Sequence, residues 1–238
     1  QFIALGFGAR QLAMSGAFTA VDNDIYSAFW NPAGLASLSN TKVAFMHNSL
    51  PLDINQEYMA FGFQLKNLEA NKKKYPPYIA ISLNYGKYGR ESVTDYAHPY
   101  GTGNYFGGSD LMLGLSFADK LNDNLLSGLT AKFIRQKLYD YSGTAFALDI
   151  GMIYRLNETL SIGSGLFNAG SKIKFIEEEE ELPFQFKTGV AFKALNSLLT
   201  TGDIIYSKDE GWDFAAGLEL RVLNPLALRA GFNSINDA

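Results

Sequence analysis

Phe146-Ala147-Leu148-Asp149-Ile150-Gly151-Met152-Ile153-Tyr154 is the stretch whose reading decides the fold. Phe146, Leu148, Ile150, Met152 and Tyr154 fall on one parity, while Ala145, Ala147, Asp149 and Gly151 fall on the other. A helix would need a period near 3.6. A period of two places one greasy face and one small or polar face on an extended strand.

The same alternation recurs on either side. Met59, Phe61, Phe63 and Leu65 oppose Tyr58, Ala60, Gly62 and Gln64; Ile79, Ile81, Leu83 and Tyr85 oppose Ala80, Ser82, Asn84 and Gly86. Leu111, Leu113, Leu115 and Phe117 repeat it, as do Phe186 to Phe192, Ala216 to Val222 and Leu226 to Phe232. Eleven strands can be counted from about Lys42 to Phe232. Charged residues on the small-residue parity, Lys132, Asp149, Lys187, Glu219 and Arg229, are then expected to face the inside of a closed sheet, pairing with one another or anchoring groups of the opening segment such as Arg10 and Asp24.

Composition agrees with a single all-β domain: of 238 residues 23 are Gly, 14% are aromatic and only 18% are charged. Mean hydropathy is −0.04, and no run of about 18 apolar residues exists to make a membrane-spanning helix. A transmembrane antiparallel β-barrel escapes both measures, because lipid-facing and lumen-facing residues average out along each strand. The net charge of −4 and the lack of a basic stripe speak against nucleic acid as a partner. With no cysteine, disulfide frameworks, thiolate metal sites and cysteine nucleophiles are excluded, and export through an oxidising periplasm is accommodated. The chain opens without a charged and then apolar leader and reads as a mature or trimmed form.

Leu-Asn pairs close alternate strands at Leu121-Asn122, Leu156-Asn157, Leu195-Asn196 and Leu223-Asn224, each in a short turn. Longer connections lie between them at about Lys87–Gly108, Leu138–Gly143, Asn168–Pro183 and Ser207–Gly211. Short turns at one rim and long loops at the other are the asymmetry of bacterial outer-membrane barrels, with turns periplasmic and loops extracellular. Asn67–Pro77, long and Lys-rich, is the exception.

Residues 1–41 do not alternate. Ala9 to Met14 is helix-friendly, and Asn31 can cap a short helix opened by Pro32. The series Gly8-Ala9-Arg10, Met14-Ser15-Gly16-Ala17-Phe18-Thr19-Ala20-Val21, Asp22-Asn23-Asp24 and Trp30-Asn31-Pro32-Ala33-Gly34-Leu35 resembles the hatch signature of the FadL-like superfamily. The likeness is nearest to the PorV/PorQ-type and related outer-membrane proteins. It implies a fourteen-stranded barrel plugged by its N-terminus, hence a hatch over residues 1–41 and a C-terminally incomplete barrel over 42–238. Two functions follow from the resemblance. One is passive uptake of a hydrophobic, fatty-acid-like molecule past the hatch. The other is docking of secreted or cell-surface proteins in a type IX secretion-like role. Gly34-Leu35 departs from the more polar continuation of the secretion shuttle.

The expected substrate path therefore runs over Arg10, Phe18, Asp22, Asp24, Phe29, Trp30, Asn31, Pro32, Ala33, Gly34 and Leu35. No catalytic constellation or cofactor site is expected. Gly6-Phe7-Gly8 lacks the βαβ unit of a phosphate loop, and His47 and His98 lack metal-ligand spacing. Asp22 and Asp24 lack the further oxygens of a calcium loop and read as caps or hatch-to-wall hydrogen bonds. Glu177–Glu181 reads as a solvated loop held out by self-repulsion. Tyr88, Tyr96, Tyr100 and Tyr105 would anchor a protein partner if docking is the function. Outer-membrane lipid is the one partner common to both functions.

Overall fold

A computed structural model describes residues 6–51, 53–66, 74–89, 91–92, 94, 96–98, 100, 102–103, 105–175 and 178–234. Helices α1 (Ala9–Ala13) and α2 (Ser27–Trp30) and a 3-10 helix (Pro32–Ser37) come first. Strands follow as β1 (Lys42–Leu50), β2 (Ile54–Gln64), β3 (Tyr78–Lys87), β4 (Glu91–Ser92), β5 (Tyr105–Phe106), β6 (Gly108–Lys120), β7 (Leu125–Leu138) and β8 (Tyr141–Arg155). The rest are β9 (Leu160–Gly170), β10 (Ile173–Phe175), β11 (Glu178–Glu180), β12 (Gln185–Leu195), β13 (Leu198–Ser207), β14 (Gly211–Arg221) and β15 (Ala227–Asn233).

Eleven of these form one antiparallel sheet in the order β1-β2-β3-β6-β7-β8-β9-β12-β13-β14-β15. Each long strand thus pairs with its neighbour in sequence, the up-and-down topology that alternating short turns dictate. Large apolar side chains meet across strands: Ile150 lies opposite Leu129 on β7 and Leu166 on β9, the pairing that stabilises a sheet face.

Burial separates the two parities. Phe146 is 65% exposed and Ile150 50%, whereas Ala145 is at 1% and Asp149 at 0%. The exposed parity joins Phe45, Phe61, Leu83, Leu115, Phe192 and Phe214 into an apolar band across the sheet. That band far exceeds the few hundred Å² of contiguous apolar surface that a protein carries in water. It is the hydrocarbon-facing surface of a transmembrane antiparallel β-barrel. No helix among the described residues is long and apolar enough to cross a membrane.

Two of the Leu-Asn turns, those at Asn122 and Asn157, work through the asparagine side chain. Asn122 Oδ1 accepts from the backbone N–H groups of Asn124 (2.9 Å) and Leu125 (2.8 Å), and Asn157 Oδ1 does the same for Thr159 (2.9 Å) and Leu160 (2.8 Å). These are Asx turns. Replacing Asn122 by Ala is expected to cost about 1 kcal/mol, read as a lower urea midpoint for unfolding from micelles.

Two connections expected to be long are short. The β7–β8 turn is Tyr139-Asp140, with Tyr139 at φ 55°, and the β13–β14 turn is Lys208-Asp209-Glu210. Strands of 13 to 15 residues in β6, β7 and β8 exceed the ~9–11 that cross a bilayer. Their ends therefore stand in water, where Arg135, Lys137, Tyr139 and Tyr141 look like loop residues although the ladder continues. Of the Asn67–Pro77 link, residues 67–73 lie outside the described set.

The Asn168–Pro183 connection turns inward. Hairpin β10–β11 sets Ile173 and Leu182 against Met112, Ile134, Ala145 and Ala147 on the inner face. Its acidic run is paired rather than simply self-repelling: Lys172 Nζ lies 3.7 Å from Glu179 and 3.9 Å from Glu181, and Lys208 also pairs with Glu181. Glu177 lies outside the described residues. The hydrogen bond and charge of Lys208 hold the Glu181 carboxyl below its usual pKa. Its contribution is thus present above the unfolded glutamate value near ~4.3 and is lost as pH falls through the lower folded value. Protease access to 171–184 is expected to rise only in that acid window.

Candidate functional site

The inner face is lined by glycine and alanine where the hatch backbone touches it. A Cβ on Gly128 would lie 2.3 Å from the Pro32 carbonyl carbon, and one on Gly163 would lie 2.1 Å from the Thr19 carbonyl oxygen. Only glycine lets two backbones approach so closely. Asn31, buried at 0%, caps the 3-10 helix by accepting from Ala33 N (3.1 Å) and donates from Nδ2 to the Thr19 carbonyl (2.6 Å). Trp30 Nε1 donates to the Phe7 carbonyl at 2.8 Å, folding the segment onto itself.

Three polar clamps tie this segment to the wall. Asp203 Oδ2 on β13 accepts from Phe18 N (2.9 Å), Thr19 N (2.9 Å) and Thr19 Oγ1 (2.7 Å). Arg10 grips Glu219 on β14 through Nε (2.8 Å) and Nη2 (2.9 Å) and reaches Asp24 at 3.2 Å. Glu219 also takes Arg229 Nε at 2.6 Å. Arg155, at the end of β8, donates from Nε to Asp22 at 2.9 Å and also meets Ser37. Burial works against the Arg10 charge, but Glu219 and Asp24 outweigh it and hold its pKa above the ordinary value. The fork-to-fork Arg10–Glu219 pair fixes orientation as well as charge.

Between hatch and wall lies a cavity of about 260 Å³. Phe29 and Trp30 of the hatch face Phe167, Lys187, Gln185 and Ile205 of the wall across it. A β-bulge places Phe167: Leu148 pairs with Ala169 and Ile150 with Leu166, so Phe167 and Asn168 together oppose Asp149. Asn168, at φ 57°, turns inward with Phe167, and both are buried. Lys132 Nζ closes the bulge by meeting Asp149 at 2.6 Å and Asn168 Oδ1 at 2.8 Å.

The residues singled out from sequence fall into three groups. Phe18, Trp30, Asn31, Pro32, Ala33, Gly34 and Leu35 are buried in the hatch, and Phe29 is half-buried at the cavity. Arg10, Asp22 and Asp24 form clamps; Asp24 bonds only within the hatch, to Arg10 and to Tyr26 N (3.0 Å). Of the inner-face charges, Lys132 and Asp149 pair with each other, Glu219 and Arg229 join the Arg10 clamp, and Lys187 borders the cavity. His47 pairs with Glu57 at 2.7 Å near the rim, far in sequence from loop residue His98. Among the described residues no group of three or more His, Asp or Glu could hold a metal ion. Asp203 and Arg155 were not foreseen, although each shares parity with inner-face neighbours, Thr201 and Ile205 in one case and Gly151 and Ile153 in the other.

The hatch and the strands through the middle of β9 fall within residues 1–165, which match the model of the Uncharacterised protein family (UPF0164). The chain belongs to UPF0164. No curated protein matches this UPF0164 member. Among solved structures it resembles the Pseudomonas putida toluene transporter TodX, with TM-score 0.68, 12% identity and coverage of 96% of this chain and 83% of that one. It also resembles the Ralstonia pickettii toluene transporter TbuX, with TM-score 0.63, 14% identity and coverage of 96% and 86%. A Pseudomonas aeruginosa FadL homologue matches with TM-score 0.63, 10% identity and coverage of 96% and 79%. At such identities the likeness establishes a FadL-type barrel fold for this UPF0164 chain.

Proposed function

We propose that this protein is an outer-membrane conduit, not an enzyme, through which a small hydrophobic molecule diffuses past the N-terminal hatch. The observation that carries this reading is the cavity lying between an aromatic hatch surface, Phe29 and Trp30, and the wall of a lipid-facing barrel. A concave, aromatic-lined space with a few polar groups is what a small-molecule site requires. The three clamps hold the hatch as one unit, so passage would follow its displacement rather than any input of energy. Short turns would face the periplasm and long loops the outside, with membrane lipid around the apolar band. The solved neighbours support the reading in kind, since two of them are named as toluene transporters.

Proteoliposome uptake tests it. Toluene entry through reconstituted protein is expected to exceed entry into protein-free vesicles and to follow the gradient. Equal rates would remove the proposal. The docking alternative of PorV/PorQ type has no counterpart among those neighbours. Tyr88, one of its four anchors, is instead tied to the wall through a 2.5 Å hydrogen bond to Asp110.

A further inference from the structure

Lys187 differs from every other inner-face charge named above. Lys132 is paired with Asp149 and bonded to Asn168, Arg10 and Arg229 share Glu219, and Arg155 holds Asp22. Lys187 Nζ instead lies over the rings of Trp30 (5.4 Å) and Phe167 (5.3 Å). Among the described residues no carboxylate stands within ion-pair distance of it. Asp203, one strand away and close along the same face, has committed one oxygen to three hatch donors. The ammonium therefore borders the cavity with aromatic faces around it and no contacting anion.

We infer that the cavity binds a compact organic acid, a single aromatic ring bearing one carboxylate, with Lys187 receiving the carboxylate and Phe29, Trp30 and Ile205 receiving the ring. This deepens the conduit reading and rests on it. Size and lining suit the ring: a cavity of roughly 150 Å³ suffices for benzene, so about 260 Å³ holds one aromatic ring and a carboxylate against the Phe29 and Trp30 faces. Charge sets the head group. An apolar ring would strip water from Lys187 and return only a further aromatic face, whereas a carboxylate supplies a charge-assisted hydrogen bond in place of that water. Gln185 also lines the cavity and donates from Nε2 to Ser207 Oγ at 3.2 Å, leaving a second amide hydrogen uncommitted to that bond.

The full chain in micelles, with Trp212→Phe, leaves Trp30 as its only tryptophan and makes its fluorescence a reporter of the cavity. Benzoate is expected to quench Trp30 saturably at neutral pH, with affinity about tenfold or more above toluene, the effect of one hydrogen bond to a charged group. Lys187→Met should abolish that preference and leave toluene quenching, while Lys187→Arg should retain it. Toluene binding as tightly as benzoate in the unsubstituted cavity would overturn the inference without recourse to any Lys187 variant, as would a preference that survives Lys187→Met. Uptake of toluene without benzoate would sink this inference alone. Failure of both ligands in binding and uptake would sink the conduit reading as well.

Discussion

Gly163→Val will unseat the hatch. The added Cβ meets the Thr19 carbonyl oxygen at 2.1 Å, its carbon at 2.6 Å and Ala20 Cα at 2.7 Å. All three are backbone atoms, so no rotamer change relieves the contact, and the wall strand is locked by ladders to β8 and β12. Overpacking of this kind costs about 3 kcal/mol, roughly a hundredfold in the ratio of seated to unseated hatch. Withdrawal also strips Asp203 of its three donors. The expected readouts are cleavage of residues 6–40 by added protease and a rise in single-channel conductance, while β-sheet circular dichroism stays unchanged. Gly128→Val should behave alike. Gly202→Ala is the control, because a Cβ there meets nothing within 4 Å. A protected hatch in both valine variants would contradict the seating described above.

The second large effect is expected at Lys132. Its side chain is 3% exposed and that of Asp149 is 0% exposed. Lys132→Met leaves the carboxylate buried with only Asn168 N (2.8 Å) as a hydrogen-bond donor, a loss of about 3–5 kcal/mol. The bulge that carries Phe167 should loosen with it. The informative variant is the double one. Lys132→Met with Asp149→Leu removes both charges and is expected to recover most of the loss, since two apolar side chains need no partners. Urea midpoints in micelles measure both. A double variant as unstable as the single one would show that the Asn168 network, rather than the ion pair, secures the bulge.

Much of the barrel was legible because lipid and lumen impose opposite demands on adjacent residues, and a period of two records that conflict directly. Ala145 against Phe146 is enough to orient β8. The rims were less legible. Above the hydrocarbon band both faces of a strand meet water, so Arg135 to Tyr141 lose the alternation although the hydrogen-bonded ladder runs on to Tyr139. The hatch was recognisable through Asn31-Pro32-Ala33, a cap followed by a proline that opens the 3-10 helix. Its seat was not. Asp203 binds Phe18 N across 185 positions, and nothing local to Thr201-Gly202-Asp203 announces that partner. The bulge at Phe167-Asn168 left no mark either, because a register shift belongs to two strands and is written in neither alone.

By itself, the order of residues determined the eleven strands of the main sheet, their inward and outward faces, the tight Leu-Asn turns and a non-alternating opening segment. These depend on each residue and its neighbours within a strand or turn. Tertiary structure alone decided that Asp203 and Arg155 clamp the hatch, that hairpin β10–β11 turns inward, and that Lys187 is left facing rings instead of a carboxylate. Those outcomes depend on distances between strands, which curvature and register set only after the wall has formed around its plug.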